Sequence, residues 1–208
     1  MNLLQSGLCP VKTVIKIKTI VGWHRDIIHS YYSLLFVLER IFMIKEYFEL
    51  EKYEALKESD NLIFKALELV TTLFENDLDK GGLPYMLHLL YVYKHVYSEE
   101  EKVIALLHDI IEDKQISKED LIEFGFPIKI VEDVSILSRK KHTDYGLYID
   151  NLVKKGSIEA LHVKLSDLRN NMDMSRIKNP TVKDYERVKN RYTPSYEKIL
   201  NRLKEMEK

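Results

Sequence analysis

The 208 residues carry 32 Lys and Arg against 33 Asp and Glu, a formal net charge of −1, with 45% hydrophobic and 31% charged residues. Length and composition are those of a globular chain able to bury a core, and the balanced charge argues against a DNA-, RNA- or membrane-surface-binding protein, which would carry a basic excess. The single cysteine, Cys9, excludes an intramolecular disulfide and fits a reducing cytoplasm.

The chain starts with MNLLQSGLCPVK, which lacks a charged segment followed by a long apolar stretch, so no secretory signal is expected. Strand-like alternation occurs only in KTVIKIKTIV (12–21). The apolar run IIHSYYSLLFVLERIFMI (27–44) is interrupted by Glu39 and Arg40 and falls short of the ~20 apolar residues of a membrane span. It reads as a buried or partner-facing helix, and its apolar face is a candidate for homo-oligomer formation. Residues 1–58 hold the lone Cys and the lone Trp, Trp23. They read as an N-terminal helical extension to a domain spanning 59–208, and Met43 offers an internal translation start.

From Asp60 onward the periodicity is helical throughout, which predicts an all-α domain. NLIFKALELVTTLF is the first helix and ends in the polar loop ENDLDKGG. LPYMLHLLYVYKHV follows, with Pro84 suited to a first helical turn. Ser98 caps one continuous helix, EEEKVIALLHDIIED, whose first acids complement the positive helix start. Ser117 caps a short KEDLIEFG helix that Gly125 ends. Further helices read as IKIVEDVSILS, YGLYIDNLVKK, SIEALHVKLSDLRNNM and TVKDYERVKNRYTPSYEKILNRLKEM, with Pro194 expected to break or kink the last.

The segment HDIIED (108–113) is the least generic part of the chain. Helical spacing stacks His108 on Glu112 and Asp109 on Asp113, which alone is equally the solvent face of an amphipathic helix. Two other segments favour chemistry. LPYMLHLL sets His88 among large apolar residues, and ALHVKLSDLRNNMD does the same for Asp167. Two His and two Asp from three apolar helices form a donor set suited to one hard or borderline divalent ion with open positions. Such an ion would neutralise the buried acids by coordination.

His88, His108-Asp109 and Asp167, in that order, resemble the H…HD…D signature of the HD-domain metal-dependent phosphohydrolases. The closer resemblance is to the hydrolase domain of the Rel/SpoT alarmone enzymes and to the small alarmone hydrolases. It is carried by DKGGLPYMLHLLYV, VIALLHDIIEDKQISKEDL, SILSRK and VKLSDLRNNMD, and covers roughly residues 60–205. The resemblance implies that His88, His108, Asp109 and Asp167 hold one metal, usually manganese. It makes Glu112 and Asp113 the acids that orient and deprotonate the attacking water. Lys80 and Asn171 match substrate-holding positions, and Arg139 matches a phosphate contact. The implied reaction removes pyrophosphate from the 3′ position of ppGpp or pppGpp. With no nucleotidyl-transfer motif in the first 58 residues and none after Lys208, degradation without synthesis is expected.

The sequence departs from that pattern on the substrate side. Asp79 stands where the bifunctional enzymes carry Arg before the lysine, an acid expected to repel a pyrophosphate. Leu89 replaces a proline after the first His, and Arg169 and Asn170 are unusual neighbours of Asp167. These changes leave open a broader HD-type nucleotide phosphohydrolase, or a nucleotide-sensing module, against which the intact Glu112–Asp113 pair argues. His95 lies two turns from His88 near the same face, His162 reads as core, and His24, His29 and His142 as surface or interface. Tyr85 or Tyr145 could stack on a base, and SRKKH (138–142) reads as a solvated loop or a phosphate clamp.

Overall fold

The computed structural model describes residues 50–114 and 116–208. The alternating segment 12–21, the apolar run 27–44, Met43, Trp23, His24 and His29 lie outside the described residues. Among the described residues the helices are α1 (Leu50–Lys57), α2 (Leu62–Leu73), α3 (Met86–Lys94), α4 (Glu99–Leu107), α5 (Ile110–Asp113), α6 (Lys118–Glu123), α7 (Ile128–Leu137), α8 (Tyr145–Lys155), α9 (Ile158–Met172), α10 (Val182–Arg187) and α11 (Thr193–Met206). The architecture is all-α, as the periodicity predicts, and none of these helices is long and apolar enough to cross a membrane.

Local chemistry sets most boundaries. Asn61 caps α2 by accepting from the Phe64 N–H, and Ser98 and Ser117 close reciprocal capping boxes with Glu101 and Asp120. Gly125, at φ +90, ends α6 in a conformation that a side chain would strain. The carbonyls of Gly125 and Lys57 both accept from the buried Lys65 ammonium, at 3.4 and 2.8 Å, so α1, α2 and the Gly125 turn are tied together.

Two helices form the centre. Helix α4 packs against α2, α3, α7 and α9, while α9 packs against α3, α4, α7 and α11. Val103, Ile104, Ala105, Leu106 and Leu107 are all buried, so the end of α4 is apolar on every side. A helix of that kind belongs in the middle of a core.

Two expectations are corrected and a third is given its physical form. EEEKVIALLHDIIED is two helices, because α4 stops at Leu107 and α5 starts at Ile110. The His108 imidazole Nδ1–H donates to the Ala105 carbonyl at 2.7 Å. That side-chain bond competes for the acceptor a continuous helix would give to the Asp109 N–H. Asp109 turns instead to φ −103, ψ −2, the bridge region where many active-site residues sit.

Pro84 lies before α3, in an antiparallel bridge with Leu78, rather than in its first turn. Pro194 sits in the first turn of α11, and the α-helix is interrupted just before it, as expected, although the chain stays helical. A π-helical turn, Val188–Tyr192, absorbs the missing donor, with the Thr193 N–H reaching back to the Val188 carbonyl.

Ile104 is fully buried at the centre of α4. Ile104→Ala is expected to cost about 2–5 kcal/mol in urea denaturation with an unchanged slope, and a loss below about 1 kcal/mol would contradict its place in the core.

Candidate active site

Helices α3, α4 and α9 meet where each carries a polar residue among apolar neighbours. His88 comes from α3, His108 and Asp109 from the break after α4, and Asp167 from the middle of α9. Three of these side chains are buried, and Asp109 is half-buried. His88 Nε2 lies 3.3 Å from His108 Nε2, 3.5 Å from Asp109 Oδ2 and 3.4 Å from Asp167 Oδ1. His108 Nε2 lies 2.9 Å from Asp109 Oδ2. The ligating atoms of His88, His108 and Asp109 all fall within 4.8 Å of one another.

The tautomers follow from the outer hydrogen bonds. His108 Nδ1 faces the Ala105 carbonyl, which only accepts, so Nδ1 carries the proton. His88 Nδ1 lies 2.7 Å from Asn170 Oδ1, and the Arg176 guanidinium donates to the same oxygen. An oxygen that accepts from Arg176 also accepts from His88, so His88 Nδ1 is a donor as well. Both Nε2 lone pairs therefore point at each other and at two carboxylates.

That arrangement is repulsive unless a cation stands among the donors, and the donor set fits a divalent ion. A proton can play the part in its place. Burial acts to lower the His108 imidazole, but Asp109 and Asp167 outweigh it and raise it to about 9. Burial likewise acts to raise the Asp109 carboxyl, yet His108 and His88 hold it well below the usual range.

A cavity of about 310 Å³ opens over the cluster, and Lys80, Glu112, Asp113, Arg139, Asn171 and Arg191 are among its lining residues. Glu112 is held by the loop after α7, where it accepts the Arg139 backbone N–H at 2.9 Å and faces the guanidinium at 3.9 Å. That guanidinium also donates to the Thr143 carbonyl at 2.9 Å. Burial, with the charges of Asp109 and Glu112, pushes the Asp113 carboxyl up to about 6. Lys80 is exposed at the rim, and the Asn171 amide donates to Asp167 Oδ1. The structure thus brings all nine sequence-derived candidates to one cavity or to the cluster beneath it.

Asp79 is not a free acid facing the cavity. Its Oδ1 accepts the N–H groups of Gly81 and Leu83 at 2.8 and 2.9 Å, and its Oδ2 is paired with Arg176. Burial acts to raise its carboxyl, but these donors hold it below the usual range. Asp79 thus shapes the Lys80 turn with its charge already neutralised. Gly81 is required there, because a Cβ would lie 2.2 Å from the Arg176 carbonyl oxygen.

Sequence reasoning missed several neighbours. Asn170, noted only as unusual, orients His88. Lys164 is read in the structure as a cation 2.7 Å from Asp167 Oδ2, and its position three residues before Asp167 was the available signal. Tyr85, a candidate for base stacking, lines the cavity, donates its hydroxyl to Asp109 at 2.6 Å and stacks on Phe74. His162 is partly exposed and paired with Glu101 at 2.6 Å rather than buried as core. His95 is exposed, bonded to the Tyr91 carbonyl, and does not line the cavity.

No protein-family model matches the chain. A guanosine-3′,5′-bis(diphosphate) 3′-pyrophosphohydrolase of Borreliella burgdorferi is 27% identical to it over 122 residues, which are 53% of this chain and 18% of that protein. The chain therefore matches about a fifth of the length of this relative. A solved metazoan ortholog of SpoT, described as hydrolysing ppGpp, superposes with a TM-score of 0.57 at 22% identity, over 70% of this chain and 86% of that one. The fold is the same. The HD-domain helical architecture implied by the H…HD…D resemblance is thereby the architecture of this chain, and its relative in sequence is an alarmone hydrolase.

A divalent ion at this cluster would have to displace a proton shared by His108 and Asp109, so divalent-cation affinity is expected to rise about tenfold per pH unit up to about pH 9. The proton is in place below that value and gone above it. Calorimetric titrations at pH 6 to 9 measure this, and a pH-independent affinity would contradict the shared proton. In the same titrations Asn170→Ala, which frees the His88 ring, is expected to weaken binding about 10–100-fold.

Proposed function

We propose that the chain is a metal-dependent phosphohydrolase of phosphorylated nucleotides, with guanosine 3′,5′-bis(diphosphate) as substrate and pyrophosphate as leaving product. The observation that carries this reading is the convergence of His88, His108, Asp109 and Asp167 beneath a cavity whose walls hold Glu112, Asp113 and several cations. The sequence and fold similarity to ppGpp hydrolases supports the choice of substrate.

In this reading the four donors hold one divalent ion, manganese, which supplies acidification of a water and polarisation of a phosphoryl oxygen. The remaining work falls to the chain. Asp113, raised toward neutrality, accepts the proton of the attacking water, and Glu112, fixed by the Arg139 loop, holds that water in line. The water oxygen bonds to the phosphorus on O3′, the O3′–P bond breaks, and O3′ leaves with the proton that Asp113 took from the water, to give GDP and pyrophosphate. Lys80 and Arg139 offset the charge that develops on the phosphoryl oxygens, and Asn171 steadies the substrate beside Asp167. Asp79, paired with Arg176, does not oppose an incoming diphosphate.

The purified, manganese-loaded protein is expected to release pyrophosphate and GDP from ppGpp, measured by anion-exchange chromatography of the products. Orthophosphate released from mononucleotides, with ppGpp left intact, would overturn the reading in favour of a broader phosphohydrolase. Glu112→Gln is expected to keep the metal and lose about 10²–10⁴ in rate, whereas Asp109→Ala is expected to lose the metal itself. Full activity in Glu112→Gln would contradict its role toward the water.

A further inference from the structure

The cavity contains more cationic side chains than the cleavage centre uses, and most already have a carboxylate. Arg139 faces Glu112, Lys164 is paired with Asp167, Arg176 with Asp79, and Arg187 with Asp184 at 3.0 Å. Arg191 has no such partner among the described residues. Its guanidinium carbon lies 3.6 Å above the centre of the Tyr145 ring, and its buried Nε–H meets no acceptor among the described residues. A buried donor without an acceptor costs about 1–3 kcal/mol unless a ligand supplies one.

The local backbone explains how Arg191 comes to be there. It lies in the π-helical turn Val188–Tyr192 that Pro194 imposes just before α11, and its own carbonyl is taken by the Ser195 hydroxyl at 2.7 Å. A π turn shifts the following helix face, and such turns recur at functional sites. Tyr145, the first residue of α8, also meets the Tyr192 ring edge at a centroid distance of 6.4 Å, which fixes the platform under the guanidinium. Stacking on an aromatic face uses the flat side of an arginine and leaves its N–H edge for a planar or tetrahedral oxyanion.

We propose that Arg191, laid on Tyr145, is a second anion-binding point of the cavity, which takes a phosphate or diphosphate of the nucleotide other than the one cleaved. This rests on the reading that the cavity takes a phosphorylated nucleotide, and it restricts the substrate class to nucleotides phosphorylated at two positions. For a guanosine substrate cut at its 3′ side, the group at Arg191 is the 5′-diphosphate, which remains on the product GDP.

The test is calorimetric binding of GDP and of GMP to the full, manganese-loaded chain. Arg191→Met is expected to weaken GDP binding about tenfold or more, as expected for loss of a charge-assisted contact, and Arg191→Lys is expected to recover part of that loss by restoring the charge. Tyr145→Leu keeps the charge but removes its platform, and should fall between wild type and Arg191→Met; it also serves if Arg191→Met does not fold. GDP affinity within twofold of wild type in Arg191→Met would overturn the proposal. So would equal losses in Arg191→Met and Arg191→Lys, which would mark a packing role, or a wild-type protein that fails to bind GDP. Arg191-dependent GDP binding in a protein that leaves ppGpp uncut would sink the proposed reaction while leaving this subsite standing.

Discussion

The structure is organised around one electrostatic constraint. Two imidazole lone pairs and two carboxylates are pressed together at the junction of α3, α4 and α9, with Leu89, Leu106, Leu107, Ile110 and Leu168 buried close by in sequence. Acids that far from water are costly unless a positive charge shares the site. Once a cation is granted, the geometry around it makes sense. The helix breaks at His108 so that Nδ1 is spent on Ala105 and Nε2 is free, and Asn170 is buried so that His88 is held the same way.

Outward from the donors the support becomes a chain of charge-assisted bonds. Arg176 donates to both oxygens of Asn170 and pairs with Asp79, which in turn shapes the turn that presents Lys80. The orientation of a buried histidine and the position of an exposed lysine are thus linked through three side chains, Asn170, Arg176 and Asp79. Such a linkage gives a reason for an acid at position 79, where charge counting alone suggests a hindrance. It also explains why Gly81 cannot carry a side chain, since the turn passes directly against the Arg176 backbone.

Much of this is legible in the amino-acid order alone. The apolar periodicity of α2, α4, α7 and α9 and the caps at Ser98 and Ser117 are local signals, and the structure follows them. His88, His108, Asp109 and Asp167 stood out because polar residues among apolar ones need a reason. What was hidden depended on contacts that no periodicity encodes. The partner of Asp79 lies 97 residues away, at Arg176. Asn170 and Asn171 are adjacent and chemically identical, yet the first is bonded to His88 and the second to Asp167, a difference set only by the helix rotation between them. The break in HDIIED comes from a side chain taking a backbone acceptor, which hydrophobic patterning cannot register. Pro194 signalled a disturbance in the last helix, but the compensating π turn was visible only in the backbone.

The most direct test of the account is anomalous diffraction at the manganese absorption edge from crystals of the metal-loaded protein. The account predicts one strong peak per chain, within coordination distance of His88 Nε2, His108 Nε2, an Asp109 oxygen and an Asp167 oxygen. A peak held by Glu112 and Asp113 instead, or no peak at the histidine cluster at saturating manganese, would contradict it.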